Sequence, residues 1–136
     1  MKTERGRSRM ASITLTKDNF DEVVSSADTV FIDFWAAWCG PCRAFAPVFE
    51  KAAEKHGDIV FAKVDTEAEQ ELAAAFEITS IPTLMAVRDN VVLYAQPGAL
   101  PPAAFEELIG KVREVDMDEV KRQVAEQQGQ QAGEKA

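Results

Sequence analysis

Short apolar runs separated by longer amphipathic segments predict an alternation of strands and helices. The run "TVFIDFW" (29–35) is β-branched, aromatic and almost wholly apolar, which is typical of a strand buried on both faces. "IVFAKVD" (59–65) predicts a second such strand, and "SITLT" (12–16) alternates as a strand does. Residues 80–98 predict two strands joined by a tight hairpin turn at Arg88-Asp89-Asn90.

Apolar residues recur at helical spacing in the intervening segments. These segments are 16–26, 39–56, 67–77 and 101–115. The resulting order is β-α-β-α-β-α-β-β-α, in which the early alternation implies parallel strands and the hairpin adds an antiparallel pair. We therefore predict an α/β fold: a central mixed five-stranded sheet flanked by four helices, in three α/β/α layers.

One domain accounts for most of the chain. Residues 12–115 carry the predicted strands and helices, and we expect residues 1–11 to be a disordered basic extension. In residues 116–136 the pattern weakens. Met117, Val120 and Val124 share one helical face, which predicts a short helix followed by a disordered polar end.

Composition narrows the function classes. The net charge of −8 argues against nucleic-acid binding, which needs clustered cations. No run approaches the roughly 18 apolar residues of a membrane span, and no apolar stretch follows the basic start as in a secretory signal. Two cysteines in 136 residues, without a secretory signal, favour the reducing cytoplasm. We also expect a monomer.

The two cysteines, in "FWAAWCGPCR", have three competing uses. A structural clip is disfavoured because closing so short a loop removes little chain entropy from the unfolded state. A zinc site normally needs four ligands, whereas Cys39 and Cys42 are accompanied by the single histidine His56, so no metal is expected. His56 is better explained as a residue at a helix C-terminus.

The redox interpretation accounts for where the pair lies. A strand ends near Trp35 and a helix begins near Cys39, whose place at the helix N-terminus favours a thiolate. Cys39 is thus the predicted attacking thiol, and Cys42, one turn inward, is the thiol that resolves the mixed disulfide by pairing with it. Gly40 and Pro41 suit a tight turn into the helix.

The motif "FWAAWCGPC", with "IDF" before it and "SIPTL" after it, closely resembles the thioredoxin family, and the resemblance runs from about Ser12 to Val115. The resemblance implies the thioredoxin fold, whose central mixed sheet with helices on both faces agrees with the strand and helix order predicted above. It also implies roles for several residues. Asp33 matches a buried acid that exchanges a proton with Cys42, and Lys63 matches the lysine beside that acid. The substrate-binding residues implied are Trp38, Ile81, cis-Pro82, Thr83 and Gly98.

Each of these residues has a structural alternative. Asp33 could have a structural role, as a cap or in an ion pair. An ionised acid inside an apolar strand destabilises the fold, however, unless its pKa is raised so that it can be protonated. Pro82 could be trans in an ordinary loop, Trp38 could belong to the core, and Gly98 could be a simple turn glycine. The chain also departs from many relatives in carrying Arg43 where they have lysine and in lacking a glycine in the hairpin turn.

The predicted function is that of a thiol–disulfide oxidoreductase that reduces protein disulfides and itself needs no cofactor. The resemblance implies a flavin-dependent thioredoxin reductase as partner, and peroxiredoxins, methionine sulfoxide reductase and ribonucleotide reductase as clients. Two rivals stay open. One is an oxidase or isomerase, although those relatives typically carry histidine in place of Pro41. The other is a non-catalytic binding module, which would need neither cysteine.

Overall fold

The computed structural model describes residues 11–135, and their side chains as far as Gly129. The strands are β1 (Ile13–Thr14), β2 (Thr29–Trp35), β3 (Val60–Asp65), β4 (Thr83–Arg88) and β5 (Val91–Pro97). The helices are α1 (Phe20–Ser26), α2 (Gly40–Lys55), α3 (Gln70–Ala75), α4 (Pro102–Glu114) and α5 (Met117–Lys135). The predicted element order is confirmed through α4, and the tail adds a fifth helix.

The five strands form one mixed sheet in the order β1-β3-β2-β4-β5. β3 runs parallel to both β1 and β2, whereas β4 is antiparallel to β2 and to β5. β2 is therefore the central strand, hydrogen-bonded along both edges. The register of the strands places Asp33 directly opposite Lys63 of β3 and Leu84 of β4.

Successive residues of β2 enter two separate apolar cores. Phe31 packs beneath α2 and α4, whereas Ile32 and Phe34 belong to the core on the side of α1 and α3. This division follows from the two-residue period of a strand and explains why the run 29–35 is apolar throughout. The result is the three-layer arrangement predicted from the sequence.

Aromatic rings dominate the core under α2 and α4. Phe105 of α4 is 1 % exposed, and its ring centroid lies within 5.5–6.2 Å of four other rings. Those rings belong to Phe31, Phe45, Phe49 and Phe61. One side chain thus joins α4 to two strands and to α2.

The hairpin between β4 and β5 forms without glycine. Asp89 and Asn90 have φ values of 52° and 66°, as both central residues of a type I′ turn require. Asp and Asn tolerate this left-handed region better than other side chains. The predicted position of the hairpin is confirmed.

The tail is a longer helix than the short one expected from its weak apolar face. α5 runs from Met117 to Lys135 and is anchored at its start, where Met117 is buried and Lys121 Nζ lies 3.1 Å from Asp89 Oδ2. Its Gln-, Ala- and Glu-rich sequence has good intrinsic helix propensity, which accounts for the extra length. Within residues 11–135, no helix has both the length and the apolar character needed to cross a membrane. Of the extension expected over residues 1–11, only Ala11 lies among the described residues.

Replacing Phe105 by alanine should lower the free energy of unfolding by about 3–5 kcal/mol, because it opens a cavity among four rings. Urea unfolding followed by circular dichroism measures the loss. Val92→Ala is the matched control: Val92 is 47 % exposed, so its truncation should cost less than about 0.5 kcal/mol. Similar losses in the two variants would contradict the assignment of Phe105 to the core.

Candidate functional site

The site is built where β2 ends and α2 begins. Cys39 is the N-cap residue of α2, and its Sγ accepts a hydrogen bond from the Cys42 backbone N–H at 3.2 Å. The backbone N–H of Cys39 in turn donates to the Ala36 carbonyl at 3.2 Å. The sulfur therefore caps the first turn of a 16-residue helix at its positive end, an environment that favours a thiolate.

Cys39 and Cys42 are joined in a disulfide, with their Cα atoms 5.2 Å apart. Both are almost completely buried, at 4 % and 2 % exposure, and form a small cluster with Ala36, Trp35 and Ile81. Of the two sulfurs, Cys39 Sγ is the one that lies 3.7 Å from the Ile81 carbonyl oxygen. This contact places it beside the loop that precedes β4.

Asp33 lies in the sheet beneath α2. It shares its face of β2 with Phe31, which packs against α2, and with Trp35, which packs against the cysteines. Its side chain is 0 % exposed, and neither carboxylate oxygen has a hydrogen-bond partner among the described residues. An acid in this position is costly when ionised.

Burial raises the pKa of Asp33 from its ordinary value of 3.8 to about 7. The positive charge of Lys63, the neighbour of Asp33 on β3, opposes this rise in pKa, and the negative charge of Glu50 on α2 adds to it. Lys63 Nζ also lies 5.1 Å from the centroid of the Trp35 ring, within cation–π range. Asp33 can therefore take up or release a proton near neutral pH.

Glu50 is a residue of this neighbourhood that the sequence analysis missed. Its carboxylate accepts hydrogen bonds from the backbone N–H groups of Ala11 and Ser12, at 3.1 and 3.2 Å, and from the Ser12 hydroxyl. These bonds fasten the segment before β1 to α2 and hold a negative charge near Asp33. Helical periodicity alone gave no signal, since the contact joins residues 38 positions apart.

The loop before β4 brings three of the predicted substrate-binding residues, Ile81, Pro82 and Gly98, together beside Cys39. The Ile81–Pro82 peptide bond is cis, and the Pro82 carbonyl accepts a hydrogen bond of 2.8 Å from Gly98 N–H. Gly98 has φ 117°, and a Cβ there would meet nothing within 4 Å, so the surface above it is open. Thr83 is buried, and its hydroxyl donates to the Ser80 carbonyl.

Trp38 is 67 % exposed, which makes it the most exposed of the large apolar side chains assigned to this region. Gly40 and Pro41 are exposed in the first turn of α2, and Arg43 Nη1 donates to the Ala37 carbonyl at 2.8 Å. Arg43 thus ties the loop that carries Trp38 to the first turn of α2.

His56 lies at the opposite end of α2, where it is the C-cap residue. Its Nε2 is 2.9 Å from Glu106 Oε1, and its Nδ1 is 3.0 Å from an Arg113 guanidinium nitrogen. It therefore joins α2 to α4 and takes no part in the cysteine site. Across residues 11–129, no three His, Cys, Asp or Glu side chains come together as metal ligands would.

Comparison with known proteins gives one consistent result. The family model described as Thioredoxin matches residues 11–111. A Streptomyces coelicolor protein named as a thioredoxin is 61% identical over 120 residues, which cover 88% of this chain and 90% of the relative. The Bacillus subtilis thioredoxin is 38% identical over 103 residues, 75% of this chain and 98% of its own. Among solved structures, a mutant thioredoxin from Halobacterium salinarum matches with TM-score 0.71 and 33% identity, covering 77% of this chain and 94% of its own.

The raised pKa of Asp33 predicts that the folded protein loses stability as the pH rises. Between pH 3.8 and about 7 the folded state keeps a proton that the unfolded state has released, so ionisation then favours unfolding. The contribution of Asp33 to the free energy of unfolding should fall by on the order of 4 kcal/mol across this window. Urea unfolding of the disulfide form from pH 4 to 9 measures it as the difference between the native chain and Asp33→Asn.

Asp21→Asn, which removes an exposed acid of α1, is the control and should leave the pH dependence of the native chain unchanged. A parallel pH dependence for Asp33→Asn and the native chain would contradict the raised pKa.

Proposed function

Because this chain belongs to the thioredoxin family and is a thiol–disulfide oxidoreductase that reduces protein disulfides, we propose that Cys39 and Cys42 are its reacting pair. One observation carries the order of attack: Cys39 Sγ is the helix-capping sulfur that accepts the Cys42 N–H. That contact would stabilise a Cys39 thiolate, which is the nucleophilic form.

In the first step the Cys39 thiolate attacks one sulfur of the client disulfide. A new S–S bond forms between Cys39 and the client while the client's own S–S bond breaks, and the second client sulfur leaves as a thiolate and takes up a proton. The exposed Trp38 and the open surface over Gly98 leave room for the client chain. The cis peptide and the Thr83 backbone would line the other side of that groove.

In the second step Cys42 must lose its proton before it can attack Cys39. We assign the proton acceptor as the Asp33 carboxylate, because it is buried on the same side of the sheet as the cysteines, without a hydrogen-bond partner among the described residues. Attack by Cys42 on Cys39 forms the Cys39–Cys42 disulfide and breaks the mixed disulfide. The client sulfur leaves as a thiolate and takes up a proton, which completes the client dithiol. Two electrons have then passed to the client.

Supporting roles follow for the neighbouring residues. Lys63 is the partner of Asp33 on the adjacent strand β3. Its positive charge favours the ionised form of Asp33, so it would limit how far burial raises the pKa of Asp33. Gly40 and Pro41 would set the turn that brings both thiols to the helix end. No resident cofactor is required by this sequence of steps.

The oxidised chain must be reduced again before another cycle. Family membership implies a reductase partner and disulfide-bearing clients in general. The finer proposal is a flavin-dependent thioredoxin reductase, with clients such as peroxiredoxins, methionine sulfoxide reductase and ribonucleotide reductase. We further propose that the chain works in the cytoplasm, where a reductase can hold the pair in the dithiol state.

Cys42→Ser should trap clients as mixed disulfides with Cys39, because the second step is blocked while the first is intact. Non-reducing electrophoresis and mass spectrometry of the variant mixed with a disulfide-bonded test protein would reveal the adduct. Cys39→Ser is the matched control and should trap little. Adducts formed mainly by Cys39→Ser would reverse the proposed order of attack.

Asp33→Asn should slow release of the client about a hundredfold near neutral pH, the lower end of what a positioned general base contributes. In the native chain, the rate of the second step should rise with pH through about 7, where Asp33 ionises. Rapid-mixing kinetics of a preformed mixed disulfide measures this step, and the rate of initial attack serves as the internal control. An unchanged pH–rate profile for release would remove Asp33 from the mechanism.

A further inference from the structure

The loop between α3 and β4 holds a glutamate where the backbone favours glycine. Glu77 N–H donates to the Ala74 carbonyl and Ile78 N–H to the Ala73 carbonyl, both at 3.0 Å. These two bonds form a Schellman motif around the C-cap residue Phe76. The motif places its next residue in the left-handed region, and Glu77 has φ 55°.

A glutamate at this position is disfavoured by its own backbone. Left-handed φ brings Cβ close to the following carbonyl, which is why glycine usually ends helices in this way. A side chain kept in a disfavoured conformation beside a binding surface suggests a functional use. The surroundings of Glu77 indicate what that use is.

Glu77 lines a cleft of about 140 Å³ between its own loop and β5. Ser80, Thr83 and Pro97 also line it. The cleft therefore combines one carboxylate with hydroxyl-bearing and apolar residues.

The cleft borders the loop that reaches the thiols. Ser80 and Thr83 bracket Ile81 and Pro82 in the chain, and the Ile81 carbonyl lies 3.7 Å from Cys39 Sγ. An extended peptide advances about 3.3 Å per residue. A client held by its cysteine at Cys39 would therefore bring a side chain one or two residues away to the cleft.

We propose that this cleft is a client subsite in which the Glu77 carboxylate pairs with a lysine or arginine near the client's reacting cysteine. The proposal rests on the function proposed above, since it assumes that Cys39 makes the mixed disulfide. A carboxylate selects a cationic side chain over a neutral or acidic one, and the hydroxyls can accept its remaining N–H groups. Because Glu77 is exposed, the selection is modest and sensitive to salt.

Cyclic disulfide peptides that differ at one position provide the test. Lysine, glutamine or glutamate is placed two residues before or after a cysteine, and kcat/KM for reduction is followed by chromatography. The native chain should prefer the lysine peptide over the glutamine peptide by about two- to fivefold at low salt. The preference should shrink toward one at 1 M salt, where charges are screened within about 3 Å.

Two substitutions separate recognition from helix capping. Glu77→Gln keeps the disfavoured backbone but removes the charge, and the lysine preference should fall to about one. Glu77→Gly relieves the backbone, so it should raise the melting temperature by a few degrees while also abolishing the preference. Glu54→Gln removes an exposed charge 14 residues along α2 from Gly40, roughly 21 Å away, and should retain the preference.

The outcomes distinguish this subsite from the thiol chemistry. Equal rates for all peptides in the native chain, with reduction intact, would overturn the subsite alone. A preference that survives Glu77→Gln or that is lost in Glu54→Gln would also overturn it. Failure of the native chain to reduce any of the peptides would instead contradict attack by Cys39, and the subsite with it.

Discussion

Burial of β2 on both faces is the constraint on which the other elements depend. The strand is hydrogen-bonded to β3 and β4 along its edges, and each face is covered by a separate apolar core. A strand so enclosed cannot shift its register without moving both cores, since a one-residue slip exchanges its two faces. Its carboxyl end, where α2 begins, is therefore fixed relative to the rest of the sheet. The position of the cysteines is therefore determined by this strand more than by the loop that carries them.

The same enclosure makes Asp33 both expensive and useful. Its carboxyl group is unable to reach water, so its pKa is raised to about 7 and its ionised form destabilises the fold. The aromatic core around Phe105 supplies apolar burial that offsets this loss, and it does so on the same face of the sheet. The aromatic core that stabilises the fold and the acid proposed to exchange a proton therefore lie on the same face of the sheet. Functional residues are often destabilising in this way, and the surrounding structure compensates for them.

Much of this could be predicted because local patterns coincided with tertiary burial. The apolar run ending at Trp35 and the helical pattern after Cys39 were enough to place the cysteines at a helix N-terminus. The pairing of Lys63 with Asp33 was implied only by resemblance, because register is set by the whole sheet. The contact of Glu50 with Ser12 spans 38 positions and leaves no periodic signal. Glu77 was missed because its helix ends in a motif usually marked by glycine, and α5 was underestimated because its polarity concealed its helix propensity.

At the end of the molecule opposite the cysteines, side chains of Arg88 and Lys121 hold the last two helices against the β4–β5 hairpin. Arg88, at the far end of β4 from Thr83, donates through Nη1 to the carbonyls of Val112, Arg113 and Val115, so it binds the last turn of α4 and the joint that leads into α5. Lys121 adds a contact to the hairpin residue Asp89. The carboxyl-terminal helix therefore begins at the end of the sheet opposite the cysteines. Its attachment and the thiol chemistry share no residue, so either can change without altering the other.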